Sequence, residues 1–146
     1  MIEIQTLQPR ILAAVRRVAK PAQIATTWKP ALDLVWEFLR RNPGLRDDGH
    51  NVFLYHHTAE AMPIDFGVEV TRAFPDEGEV RCVHAPGGEA AVIVHRGDYG
   101  GIPRAHAALH AWFAANGRKI GAFSIEVYGD WNADPSKLET TIQYAL

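Results

Sequence analysis

The sequence carries one β-α-β-β pattern twice, and no other feature constrains its fold as strongly. The first copy reads strand-like from Ile11 to Val18, helical from about Ile24 to Arg41, and strand-like again over Asn51–His57 and Asp65–Ala73. The second reads strand-like over Glu89–His95, helical from about Ile102 to Asn116, then strand-like over Phe123–Tyr128 and Leu138–Ala145. Between them, Phe74–Gly78 contains the breakers Pro75 and Gly78. Val80–Val83 reads as an extra short strand before an Ala85-Pro86-Gly87-Gly88 turn. Val52-Phe53-Leu54-Tyr55 aligns with Ile125-Glu126-Val127-Tyr128, and Gly67-Val68-Glu69-Val70 with Thr141-Ile142-Gln143-Tyr144. Such a duplication predicts one α+β domain over residues 1–146, with pseudo-repeats of about 9–74 and 79–146. Its strands join one antiparallel sheet, both main helices lie on one face, and a ligand groove forms where the halves meet.

The helices support the repeat. Ile102, Ala105, His106, Leu109, Trp112 and Phe113 recur at helical spacing and give one apolar stripe. In the first helix Ile24, Trp28, Ala31, Val35 and Leu39 do the same. Leu32, Trp36 and Phe38 widen that stripe and predict burial on more than one side. Pro30 suits a first turn, which moves the regular start of that helix toward Thr27. Gly97–Pro103 is turn chemistry ahead of the second helix, and Asn116-Gly117 stops it.

The halves differ at one aligned position: Phe53 in the first is Glu126 in the second. Period-2 alternation puts Glu126 and Tyr128 on one face of their strand and Ile125 and Val127 on the other. With Ile125 and Val127 against the helix layer, Glu126 would look into a cleft or into water. A carboxylate beside aromatic rings can capture an apolar cation or serve proton transfer to a bound electrophile.

Composition narrows the alternatives. With 146 residues and a net charge of −2, the chain has room for one core and lacks the basic excess of a nucleic-acid surface. Single Cys82, set among apolar neighbours, excludes an intramolecular disulfide and reads as a small buried hydrophobe. Neither a signal peptide nor a membrane-length apolar run is visible, which predicts a cytoplasmic protein without membrane contact. His106 and His110 share a helix face, but no Glu follows His106 and no third ligand is obvious, so no metal is expected. His56 and His57 point to opposite faces, with His57 in phase with Phe53 and Tyr55; His95 packs at a strand end. There is no nucleophile elbow, phosphate loop or dinucleotide fingerprint, and no cofactor is expected.

Three stretches then resemble one family. Val94-His95-Arg96-Gly97-Asp98-Tyr99 is similar to its approach to the second helix, Ser124-Ile125-Glu126-Val127-Tyr128 to its E-x-Y strand, and Leu138-Glu139-Thr140-Thr141-Ile142 to its closing strand. In this order they resemble the GyrI-like small-molecule-binding domain, the effector-binding domain of bacterial multidrug-sensing transcription activators. The resemblance implies an SHS2-like duplication with an aromatic-walled groove and carries the family's groove glutamate onto Glu126. Some stand-alone members resemble hydrolases of cyclopropane-bearing or similar electrophiles that use a glutamate and a tyrosine. No DNA-binding domain accompanies the pattern here, which points to a free-standing binder or enzyme.

The expected function is binding of small hydrophobic molecules, cationic or aromatic, with Glu126 as the charged anchor. Phe53, Tyr55, His57 and Tyr128 line its side, Phe123 and Trp131 stand near the rim, and Tyr99 starts the second helix. One alternative is a cofactor-independent hydrolase in which Glu126 is general acid or base and Tyr128 or Tyr99 orients the substrate. Another is a protein-interaction or inhibitor module with a protein partner.

Overall fold

Among the described residues, eight strands and two main helices follow the order β1 (Glu3–Leu7), β2 (Arg10–Ala19), α1 (Ile24–Arg41), β3 (Asn51–His56), β4 (Met62–Val70), β5 (Arg81–Ala85), β6 (Gly88–Arg96), α2 (Ile102–Ala115), β7 (Phe123–Tyr128) and β8 (Glu139–Ala145). This computed structural model describes residues 1–46, 49–57 and 62–146. The strands form one antiparallel sheet ordered β1-β6-β8-β7-β3-β4-β2-β5. β1 was not foreseen, because its Glu-Ile-Gln-Thr run is exposed on all but Leu7 and offers little alternation to read. Among the described residues no helix is long and apolar enough to cross a membrane.

The topology forces the sheet to curl. β1 and β2 belong near opposite ends of the strand order, yet only Gln8 and Pro9 join them; β5 and β6 are likewise joined through Pro86 and Gly87. Links that short bring the two ends together. They touch: a Cβ added at Gly87 would lie 2.6 Å from the Leu7 carbonyl oxygen, so only glycine fits there. The expected turn at Ala85–Gly88 is therefore a crossover and not a hairpin, since β5 pairs with β2 and β6 with β1 and β8.

Curling gives the sheet a buried inner face and an outer face that carries the helices. Leu12, Ala14, Val52, Leu54, Ala85 and Ile125 fill the inside and are fully buried without any helix over them. On the outer face α1 packs against β2 and β4, and α2 against β6 and β8. Ala31, Val35, Phe38 and Leu39 of α1 meet Val15, Phe66 and Val68; Ile102, Leu109 and Phe113 of α2 meet Ala91, Ile142 and Tyr144. Both helical stripes were read correctly, but α1 is not buried on several sides. Asp33, Glu37 and Arg40 keep its back in solvent.

Local signals set the helix ends. Arg118 N–H donates to the Phe113 carbonyl at 2.9 Å and Gly117 N–H to the Ala114 carbonyl at 3.2 Å, a Schellman closure with Gly117 at φ +61°. Pro30 departs from expectation. α1 starts at Ile24, so Pro30 lies inside it, on an exposed stretch where the carbonyl it leaves free can meet water. Those first turns reach past the core and bring Trp28 over the sheet.

Candidate functional site

The central strands β7 and β3 lie between the strands on which the helices mainly pack, since α1 sits to one side of them and α2 to the other. The outer face of that pair is thus the floor of a gap between two helices. Pairing sets Phe53 opposite Glu126 and Tyr55 opposite Ser124, all facing outward. Glu126 therefore lies on the helix side of the sheet, and Ile125 and Val127 turn to the inner core, the reverse of the arrangement that would expose it on a bare face.

The register shows why Tyr55 and Tyr128 belong together. Shifting β3 onto β7 so that Phe53 falls on Glu126 also carries Tyr55 onto Tyr128. Two corresponding side chains thus converge on one carboxylate: the Tyr55 hydroxyl donates to Glu126 Oε1 at 2.5 Å and the Tyr128 hydroxyl to the same oxygen at 2.7 Å. The next strands correct the sequence alignment. Phe66 stands opposite Phe53 and Ile142 opposite Glu126, so Val68 matches Tyr144 and not Ile142. A two-residue slip keeps every side chain on its face, which is why alternation did not reveal it.

The second carboxylate oxygen is held from α2. His106 Nε2 lies 2.6 Å from Glu126 Oε2, its Nδ1 is 2.6 Å from the Tyr144 hydroxyl, and that hydroxyl is 3.3 Å from Nε2 of exposed His110. His57 closes the floor, with Nε2 2.9 Å from Ser124 Oγ and Nδ1 3.0 Å from the Gly121 carbonyl. Glu126 itself is only 4 % exposed. Burial, and after it the Glu126 charge, drive the Tyr55 and Tyr128 hydroxyls far above the ordinary phenol range, so both remain donors. The same two causes push Tyr144 up to about 12. Burial also pulls His57 below the usual imidazole value.

Rings roof this network. From α1 to the turn before α2 run Trp28, Phe53, Tyr128 and Tyr99, with successive centroids 6.4, 4.9 and 5.7 Å apart. The outer two, Trp28 and Tyr99, are 37 % and 42 % exposed, so the row is anchored in the middle and free at its ends. Polar donors around a carboxylate, under aromatic faces, suit a ligand that is flat or cationic. A concavity of about 250 Å³ lies elsewhere, at the C-terminal end of α1, where Asn42, Leu45, Arg72 and Phe74 line it.

Of the residues singled out from the sequence, Glu126, Phe53, Tyr55, Tyr128 and Tyr99 come together in this gap, and His57 borders it. Phe123 does not join them: it faces the inner core with Val83 and Val127. Trp131 stands apart in the loop after β7, 75 % exposed. Cys82 is half-buried on edge strand β5 and not enclosed, with Sγ 3.8 Å from His84 Nε2. His95 does pack at its strand end, bonding the Asp98 carbonyl at 2.7 Å. Sequence reasoning missed His106, Tyr144 and Trp28 as site residues. A polar member of an otherwise apolar stripe was the available signal for His106, and Tyr144 shares the outer parity of Ile142, the partner of Glu126.

Solved structures show the same fold. The EcmrR C-terminal domain superposes with a TM-score of 0.80 at 22 % identity, covering 99 % of this chain and 96 % of that one. SAV2435 bound to tetraphenylphosphonium gives 0.72 at 12 % identity, over 99 % and 92 %. A hydrolase encoded by lin2189 from Listeria innocua gives 0.57 at 14 % identity, over 98 % and 90 %. Among curated protein sequences none matches. The family model of the GyrI-like small molecule binding domain does match, over residues 1–146: the protein belongs to the GyrI-like family of small-molecule-binding domains.

Proposed function

We propose that the gap between α1 and α2 binds small hydrophobic molecules, cationic or aromatic, with Glu126 as the charged anchor and Trp28, Phe53, Tyr128 and Tyr99 as its walls. Residues 9–74 and 79–146 act as two copies of one unit, and the ligand takes the seam between them. The observation that carries this reading is a carboxylate enclosed beneath an aromatic row, held by donors from three elements. Water cannot solvate its charge, so a ligand cation placed there meets a weakly screened field. Entry requires the exposed ends of the row, Trp28 and Tyr99, to swing aside. The tetraphenylphosphonium seen on SAV2435 supplies a suitable probe.

The test is Glu126→Gln. A glutamine oxygen still accepts from Tyr55 and Tyr128, and its amide can donate to His106 Nε2 once the imidazole proton moves to Nδ1, so the fold survives. We expect the variant to bind tetraphenylphosphonium at least about tenfold more weakly, a loss of about 1.4 kcal/mol. Affinity for a neutral aryl analogue of similar size should change by less than about twofold. Equal cation affinity in both proteins would remove Glu126 as the anchor.

The contact with His106 favours a second reading, a cofactor-independent hydrolase. A carboxylate in line with an imidazole can act as general acid or base on an electrophilic substrate, with Tyr128 or Tyr99 orienting it. Turnover of a strained-ring electrophile by the wild type, and none by Glu126→Gln, is the result that would favour it.

A further inference from the structure

We propose that His106 sets the charge selectivity of the Glu126 site by competing with a cationic ligand for the carboxylate, so that uptake of a lipophilic cation releases a proton. The inference rests on the assignment of Glu126 as anchor and adds what controls it. Its basis is geometric. Glu126 Oε1 is taken by two neutral hydroxyls, whereas Oε2 faces the one partner that can itself become a cation.

The surroundings of His106 accept both of its charge states. In either state Nε2 carries a proton toward Oε2. When the ring is neutral, Nδ1 accepts from the Tyr144 hydroxyl, whose oxygen is open to a proton from His110 Nε2. When it is charged, Nδ1–H donates to the Tyr144 oxygen and the hydroxyl hydrogen turns toward His110. One proton on Nδ1 and one rotation of the Tyr144 hydroxyl therefore separate the two states, and exposed His110 links them to solvent. Among the other groups facing His106, β3 supplies Tyr55, with ring centroids 6.5 Å apart, and just after β3 comes His57, whose charged form burial disfavours. From β7 come Glu126 and Tyr128; from β6, His95 is engaged with the Asp98 carbonyl.

An imidazolium 2.6 Å from the carboxylate cancels most of the charge a ligand would feel. A second cation entering the gap would be repelled until that proton leaves. Linkage then requires cation affinity to rise as pH rises and His106 gives up its proton. A neutral ligand of the same shape has no such dependence.

Binding of tetraphenylphosphonium and of a neutral aryl analogue is to be measured by calorimetry from pH 5.5 to 8, in buffers of different ionisation enthalpy. The wild type should bind the cation about tenfold more tightly at the upper end, releasing up to about one proton at the lower end, while the neutral analogue stays within about twofold. In His106→Gln, whose amide still donates to Glu126, the cation's affinity should be nearly independent of pH and match the wild type at high pH. A wild type that binds the cation equally at every pH overturns the role of His106 and leaves Glu126 as anchor. A variant that keeps the full pH dependence overturns it too, because Glu126 or another group would then be titrating. Absence of cation binding at every pH overturns both readings.

Discussion

Taking a carboxylate out of water costs several kcal/mol, and at Glu126 that cost is offset by Tyr55, Tyr128 and His106 together. The two tyrosines correspond in the two halves but do not stand in equal surroundings. Tyr55 is 7 % exposed, whereas Tyr128 borders the gap. Tyr55→Phe therefore removes a charge-assisted bond that water cannot replace, and urea unfolding should show a loss of about 2 kcal/mol. At Tyr128 water can enter, and the same change should cost about half as much. Alkali tests the same residues. Folding raises the values of Tyr55, Tyr128 and Tyr144, so the folded state keeps protons that the unfolded chain gives up near pH 10. Stability is then complete below pH 10 and falls as pH rises beyond it. Phenolate absorbance should show Tyr55 and Tyr128 ionising only as circular dichroism reports unfolding. Glu126 and its tyrosines were legible because a charge interrupts a strand of β-branched and aromatic residues. His106 was not, because a histidine on a helical stripe looks the same whether it packs or bonds.

Elements were legible wherever periodicity and end signals agreed. α2 shows this best: its stripe fixes the buried face, and Asn116-Gly117 fixes the stop. Gly117 at φ +61° has nothing within 4 Å of where a Cβ would stand, so substitution there tests backbone conformation alone. Gly117→Ala should lower stability by about 1 kcal/mol, read from the thermal midpoint or urea curve, with cation binding unchanged. The start of α1 was less legible. Pro30 usually marks a first turn, yet here tertiary placement lets the helix begin earlier and carry Trp28 out over Phe53. Propensity sets where a proline is comfortable; it does not set what the preceding turns are used for. Trp28→Ala should accordingly leave stability within about 1 kcal/mol, since the ring is partly exposed, yet weaken and accelerate release of a bound aryl cation, measurable by stopped-flow fluorescence.

At the scale of the molecule the duplicated pattern gave one antiparallel sheet with two helices, but neither which side chains face the helices nor the sheet's curl. That depends on Gln8-Pro9 and Pro86-Gly87 crossing between strands whose order in the sheet no alternation reveals. Curling creates a second enclosed polar group on the far side from Glu126. Asp65, 1 % exposed, receives Arg16 Nε and Nη2, each at 2.9 Å, and has His56 Nε2 at 2.7 Å. Burial alone would raise its carboxyl, but the hydrogen bonds from Arg16 and then His56 outweigh it and hold the group below the usual carboxylate range. The folded state thus binds a proton at Asp65 less readily than the unfolded chain does. Its contribution is complete above about pH 4, where unfolded carboxylates have ionised, and is lost as pH falls through the lower folded value. Asp65→Asn removes the charge and leaves Arg16, whose outer part reaches water, without its ion partner; we expect a loss of about 2 kcal/mol at pH 7. The same variant should unfold less steeply with acid than the wild type, so their urea midpoints converge toward pH 3. Because Asp65 faces inward and Glu126 outward, cation affinity at pH 7 should be unchanged within about twofold. A variant that lost affinity and stability together would show that the inner core and the gap are mechanically one, and that the sheet's curl helps set the spacing of α1 and α2.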